Sequence, residues 1–102
     1  MPLNNSEFLL LENLPVNMWG FNNSAQKFVF ISNSLKKLLI VDSSHSVNYD
    51  TAIERISNCK DGKFIAKITK NNGDNFIAEV KRREILLNDE KIWIERNNIC
   101  QS

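Results

Sequence analysis

His45 is the single histidine of this chain, and Cys59 and Cys100 are its two cysteines. These residue types carry most nucleophilic, acid–base and metal chemistry, so their arrangement decides which reactions the sequence permits. One histidine and two distant cysteines do not supply the four ligands of a structural zinc site. Hydrolytic and acyl-transfer centres need a nucleophile beside a base that a third group orients, and no such set is spaced here. His45 stands in a polar serine run and reads as an exposed loop residue, available as a pH-sensitive or ligand-contacting group. Gly20, Gly62 and Gly73 make no phosphate-cradling loop. Lys81-Arg82-Arg83 reads as a solvated strand end that discourages strand-to-strand association, rather than as a nucleic-acid patch. No catalytic residue and no metal site is expected, and an enzyme reading is weak on every count.

Composition points the same way. A chain of 102 residues, 42% hydrophobic and 25% charged, is one globular domain with room for a single core. Its 13 basic and 12 acidic side chains interleave to a net charge of +1, which gives no electrostatic case for nucleic acid or an anionic membrane. Cysteines without a spacing pattern point to a reduced, cytoplasmic setting. The apolar runs are far too short to span a bilayer, and the N-terminus lacks the regions of a signal peptide. No direct membrane contact is expected of this chain; an anchor would lie outside it.

The elements follow from periodicity. Asn4, with Glu7 three residues on, can cap a short N-terminal helix carrying Phe8, Leu9, Leu10, Leu11 and Leu14, which Pro15 closes. A helix apolar around most of its circumference is either fully packed or shared with a partner. Residues 16–21 and 27–32 are β-type runs separated by Asn22, Asn23 and Ser24. Asn33 or Ser34 caps a helix with Leu35, Leu38 and Leu39 on one face. Tyr49, Ala52, Ile53 and Ile56 fall at i, i+3, i+4 and i+7, which predicts a second helix that Lys60-Asp61-Gly62 ends. Asn72-Gly73 joins runs 64–69 and 76–81 and predicts a type I′ hairpin. After Asn88-Asp89-Glu90 a last strand, 91–99, alternates Ile92 and Ile94 against Trp93 and Glu95. The fold class is α+β: a five-stranded antiparallel sheet with short helices on one face and an N-terminal helix.

This order of elements, with these residues, resembles the PAS sensory domain family over essentially the whole chain. Glu12-Asn13-Leu14-Pro15 resembles the family's approach to its first strand. Ser32-Asn33-Ser34-Leu35-Lys36-Lys37-Leu38-Leu39 is similar to its asparagine-led helix. Asn71-Asn72-Gly73-Asp74-Asn75-Phe76, with Ala78-Glu79-Val80, resembles its Asp-Gly hairpin and the strand beyond. Arg96-Asn97-Asn98-Ile99-Cys100 falls where members commonly end in Asp-Ile-Thr; Asn98 and Cys100 replace the Asp and Thr. The glycine usual after Leu-Leu is absent, with Ile40 and Val41 in its place.

The resemblance implies a ββαααβββ domain over residues 16–102, preceded by a cap helix over 1–15, with a small-molecule cavity between sheet and helices. It also implies a sensory module in a longer bacterial-type signalling protein, with an effector domain downstream in the same parent chain, such as a histidine kinase or a diguanylate cyclase or phosphodiesterase. Haem-binding members use a histidine from the long helix, and His45 lies before it. Asn58-Cys59 matches only the start of the flavin-photoactive motif and falls after that helix. Haem and a photoactive flavin are therefore disfavoured, and the cofactor is unknown.

Strand alternation and helix faces nominate Phe30, Leu38, Leu39, Tyr49, Ile53, Ile56, Phe64, Ala66, Val80 and Trp93 as cavity-lining. The competing reading is a plain, ligand-free core. Phe8, Leu10, Leu11 and Leu14 are the candidates for a homodimer interface. Two functions follow: a module that senses an unidentified small molecule, and a ligand-free dimerisation or protein-interaction module.

Overall fold

The computed structural model describes residues 5–101, with side chains from 9 to 100. Helix α1 (Asn5–Glu12) leads into strands β1 (Met18–Asn22) and β2 (Lys27–Ile31), then helix α2 (Asn33–Leu39). A 3-10 turn (Ser44–Ser46) and the single-turn helix α3 (Tyr49–Ala52) precede β3 (Ile53–Arg55). The chain closes with β4 (Lys63–Thr69), β5 (Asn75–Leu87) and β6 (Glu90–Gln101). One antiparallel sheet holds six strands in the order β2-β1-β6-β5-β4-β3.

The sixth strand, β3, replaces most of the second predicted helix. Asn48 caps that helix as expected, its side chain accepting from the Asp50 and Thr51 amides, but only one turn forms. Ile53 then pairs with Ile68 and Arg55 with Ala66, and the Ile56 amide bonds the Ile65 carbonyl at 2.7 Å. The helical spacing of Tyr49, Ala52, Ile53 and Ile56 competed with an open edge on β4 and with β-branched isoleucines that favour a pleated surface. The edge won. Asp61-Gly62 is correspondingly not a helix stop. Both residues have positive φ, and Lys60 and Lys63 exchange backbone hydrogen bonds across them, making a two-residue type I′ turn.

The predicted type I′ turn at Asn72-Gly73 is also revised. The hairpin exists, but Gly73 alone has positive φ there. The Gly73 amide bonds the Lys70 carbonyl, and Lys70 bonds Asp74, in a longer loop that the Asn71 amide ties to the Leu39 carbonyl. The β5–β6 hairpin uses the two-residue form instead, with Asn88 and Asp89 at φ 51° and 66°.

Helix α2 begins one residue earlier than expected. Ser32, fully buried, is the cap: its hydroxyl accepts from the Leu35 and Met18 amides and donates to the Val16 carbonyl at 2.7 Å. The helix ends in a Schellman motif, with Val41 N–H on Lys36 and Ile40 N–H on Lys37. The left-handed residue of that motif is Ile40, at φ 62°. A β-branched side chain is disfavoured there, and half of this one is exposed, so little packing compensates. Ile40→Gly should therefore stabilise the domain by about 1 kcal/mol, read as a higher urea midpoint; an unchanged or lower midpoint would show the strain is absent.

Helices α2 and α3 and the 3-10 turn lie against one face of the sheet. There Trp19, Ile31, Leu35, Leu39, Phe64, Ala66, Ile68, Phe76, Ala78 and Val80 make one buried cluster, with Phe28, Leu38, Val41, Val47, Tyr49 and Ile53 packed on it. The opposite face is set by the same register: Gly20 pairs with Phe30 and Ile94, and a Cβ on Gly20 would stand 2.6 Å from the Phe30 ring. Glycine is required at that position for the ring to lie flat on the strand.

Candidate functional site

The inner sheet face carries a fully buried carboxylate. Glu95 in β6 pairs with Trp19 in β1 and Arg82 in β5, so all three side chains point to the helical layer. Trp19 Nε1 donates to Glu95 Oε1 at 2.8 Å, and Arg82 Nε donates to Oε2 at 2.8 Å. The Tyr49 hydroxyl, from α3, lies 2.9 Å from both oxygens and donates its proton between them. Three donors from three elements thus compensate a charge that would otherwise be costly to bury. Two residues on, Asn97 is as buried as Glu95, yet neither of its amide atoms has a partner among the described residues.

Aromatic rings close the cluster. The Arg82 guanidinium lies over Trp93 at 3.8 Å and beside Phe64 at 5.1 Å, and Arg55 approaches Phe64 at 4.8 Å. Tyr49 stacks on Phe21 with centroids 4.2 Å apart, and Phe28 meets Phe21 edge-on. Burial opposes the charge on Arg82, but its hydrogen bond to Glu95 and the carboxylate charge more than offset this and raise its pKa.

Burial, and then the charge of Glu95, push the Tyr49 phenol well above the usual tyrosine range. Below the unfolded value of about 10 both states are protonated, and stability is unaffected. Above it the unfolded chain ionises first, and stability should fall by about 1.4 kcal/mol per pH unit. Tyr49 is the only tyrosine, so tyrosinate absorbance reports it alone. On alkaline titration the absorbance step should coincide with unfolding; ionisation near pH 10 in a still-folded protein would show the Glu95 contact to be absent.

Two open crevices share Tyr49. One, of about 270 Å³, is lined by Phe21, Phe28, Gln26, Lys27, His45 and Asn48 among others. The other, of about 190 Å³, lies among Asn23, Asp50, Ile53, Arg55, Phe64, Arg82 and Trp93. Among the described residues no cluster of three histidine, cysteine or carboxylate side chains could hold a metal, and both cysteines are exposed and free.

No protein-family model and no curated protein sequence matches this chain. Solved structures do. The PAS domain of an HTR-like protein from Haloarcula marismortui superposes with a TM-score of 0.71, over 90% of this chain and 87% of that one, at 14% identity. The chain has the PAS fold. A PAS domain from a two-component sensor histidine kinase gives a TM-score of 0.66 over 90% and 91% of the two chains, at 8% identity. At these identities the likeness is one of fold.

In this PAS fold the nominated residues separate into groups. Tyr49, Ile53, Phe64 and Trp93 come together around the smaller crevice. Leu39, Ala66 and Val80 are buried in the core cluster, with Leu38 packed against it. Phe30 is a correction: the bulge beside Gly20 and the strand register place it on the opposite face of the sheet, where it is buried outside the core cluster that carries Tyr49. Ile56 is another; with the helix replaced by β3, it is 58% exposed. His45 is exposed, and it lines the larger crevice. In α1 and just beyond it, Leu10 and Leu14 are exposed and Leu11 is half-buried; Phe8 falls outside the residues whose side chains are described.

Sequence reasoning missed Glu95 and Arg82. A signal for them exists: from the Leu87–Glu90 pair that closes the two-residue turn, five steps back along each strand reach Arg82 and Glu95. An acid and a base at matched distances from a tight turn face each other.

Proposed function

We propose that this chain is a sensory, signal-transducing module of a larger regulator. A small molecule enters the crevices beside Tyr49, shifts the Tyr49–Glu95 contact, and the change passes along β6 to a downstream effector. A histidine kinase, a diguanylate cyclase or a phosphodiesterase is the effector class, and catalysis belongs to it rather than to this chain. The observation that carries the reading is the hydrogen bond from Tyr49, which lines both crevices, to Glu95 in the last strand. The protein named in one structural neighbour, a sensor histidine kinase, supports the setting. Ligand contacts are assigned to Tyr49, Ile53, Phe64 and Trp93 on the apolar side, with Arg55, Arg82 and Asp50 supplying polarity.

Mass spectrometry of denatured, natively purified protein identifies what co-purifies, and a metabolite panel covers ligands that exchange. The bound compound should slow amide exchange in β6, and Tyr49→Phe should abolish that slowing while the domain stays folded. A compound that binds and leaves β6 exchange unchanged would sink the relay. If no compound binds, the sensing reading falls.

A ligand-free dimerisation module is the second reading, favoured by Leu9, Leu10 and Leu14, which are 57%, 71% and 42% exposed. Such clustered apolar exposure marks an interaction surface. Light scattering across a concentration series decides it: a strict monomer rejects this reading for the isolated domain.

A further inference from the structure

The basic run Lys81-Arg82-Arg83 does not cap a strand end. It lies within the 13-residue β5: Lys81 pairs with both β4 and β6, while Arg83, beyond the end of β4, pairs with β6 alone. Protection of a sheet edge therefore does not explain Lys81. Its side chains divide: Arg82 turns inward to Glu95, while Lys81 and Arg83 face outward. The register sets Lys63 opposite Lys81 and Lys81 opposite Arg96, so three cations stand abreast on adjacent strands. Arg83 shares their face, opposite Ile94, and all four side chains are exposed.

Like charges directly opposite each other destabilise a sheet. Among the described residues no ion pair neutralises any of the four. Of the carboxylates on that face, Glu54 is committed to Lys67 at 3.1 Å. Glu79 stands in the next row, opposite Ile65 and Asn98, and forms no ion pair among the described residues. A stability cost at Lys81, which is paired on both sides, with no compensating ion pair among the described residues, points to an external anion.

We propose that Lys63, Lys81, Arg83 and Arg96 form a docking surface for an acidic, amphipathic segment of a partner protein. The row is narrow, and half-buried Met18, Ile65 and Ile94 border it. Carboxylates spaced along a helix match the cations, and the helix's apolar side chains match those borders. A phosphate backbone would find only this short row, with the Glu79 carboxylate beside it. The surface lies on the face opposite the Tyr49 crevices, and its grip on Lys81 and Arg83 would hold the residue between them, Arg82, which anchors Glu95.

The test measures binding of a short polyglutamate peptide, a short DNA duplex and phosphatidylserine-containing vesicles to the protein and to Lys81→Glu. Polyglutamate should bind at low salt, weaken with added sodium chloride, and weaken by about tenfold or more in Lys81→Glu. The same substitution places an acid between Lys63 and Arg96, so its urea midpoint should rise as its binding falls. Tighter binding of the duplex or the vesicles overturns the proposal. So does binding indifferent to Lys81→Glu, a lowered midpoint, or self-association at low salt that Lys81→Glu abolishes.

Discussion

Arg82→Met should destabilise the domain by about 3–5 kcal/mol, because it leaves the Glu95 carboxylate buried without its cationic partner. In a protein of this size that lowers the melting temperature by roughly 15 °C or more. The size of the effect comes from asymmetry: Glu95 is fully buried, while the Arg82 side chain is 17% exposed and can reach water. Removing the carboxylate should accordingly cost less than removing the guanidinium. Combining Arg82→Met with Glu95→Leu should recover most of the loss, since a well-packed apolar pair is often as stable as the ion pair it replaces. Thermal melts of the two single variants and the double variant close the cycle. Strict additivity would mean that the two side chains do not interact.

Trp19→Phe carries the second-largest expected cost, about 3 kcal/mol. The indole is fully buried and its Nε1 donates to Glu95, a charged acceptor, so the change removes a strong hydrogen bond and leaves a small void. Trp93→Phe is the control. Trp93 is only half-buried and its chief polar interaction is the face contact with Arg82, worth about 1 kcal/mol. Urea unfolding followed by circular dichroism should rank Trp19→Phe well below Trp93→Phe. The reverse order would remove Trp19 from the centre of the site.

Local signals that agreed with one another were legible in the sequence. The aromatic hairpin before Ser32, the Leu35–Leu39 helix and the Asn72-Gly73 hairpin are each specified within a few residues, and each forms. Where a local pattern competed with a distant partner, the distant partner decided. Tyr49, Ala52, Ile53 and Ile56 fit a helix, but the free edge of β4 exists only after the chain folds. Phe30 looked like an inward residue until the bulge next to Gly20 fixed the register. The candidate site was half legible. Tyr49 and Trp93 were recognisable as amphipathic aromatics, whereas Glu95 and Arg82 looked like ordinary surface charges until the β5–β6 turn placed them face to face.

The strand order has a consequence for the birth of the protein. One of its pairings joins β1 to β6, with Met18 opposite Arg96, so nearly the whole length of the domain separates the partners. On the ribosome, the β1–β2 ribbon emerges long before β6 and is barely stable alone. The β4–β5 hairpin can form while β1 still waits. Folding of this domain therefore waits for its last strand to emerge, and a nascent chain stalled before residue 90 would expose Trp19 and Phe21 to the first chaperone it met.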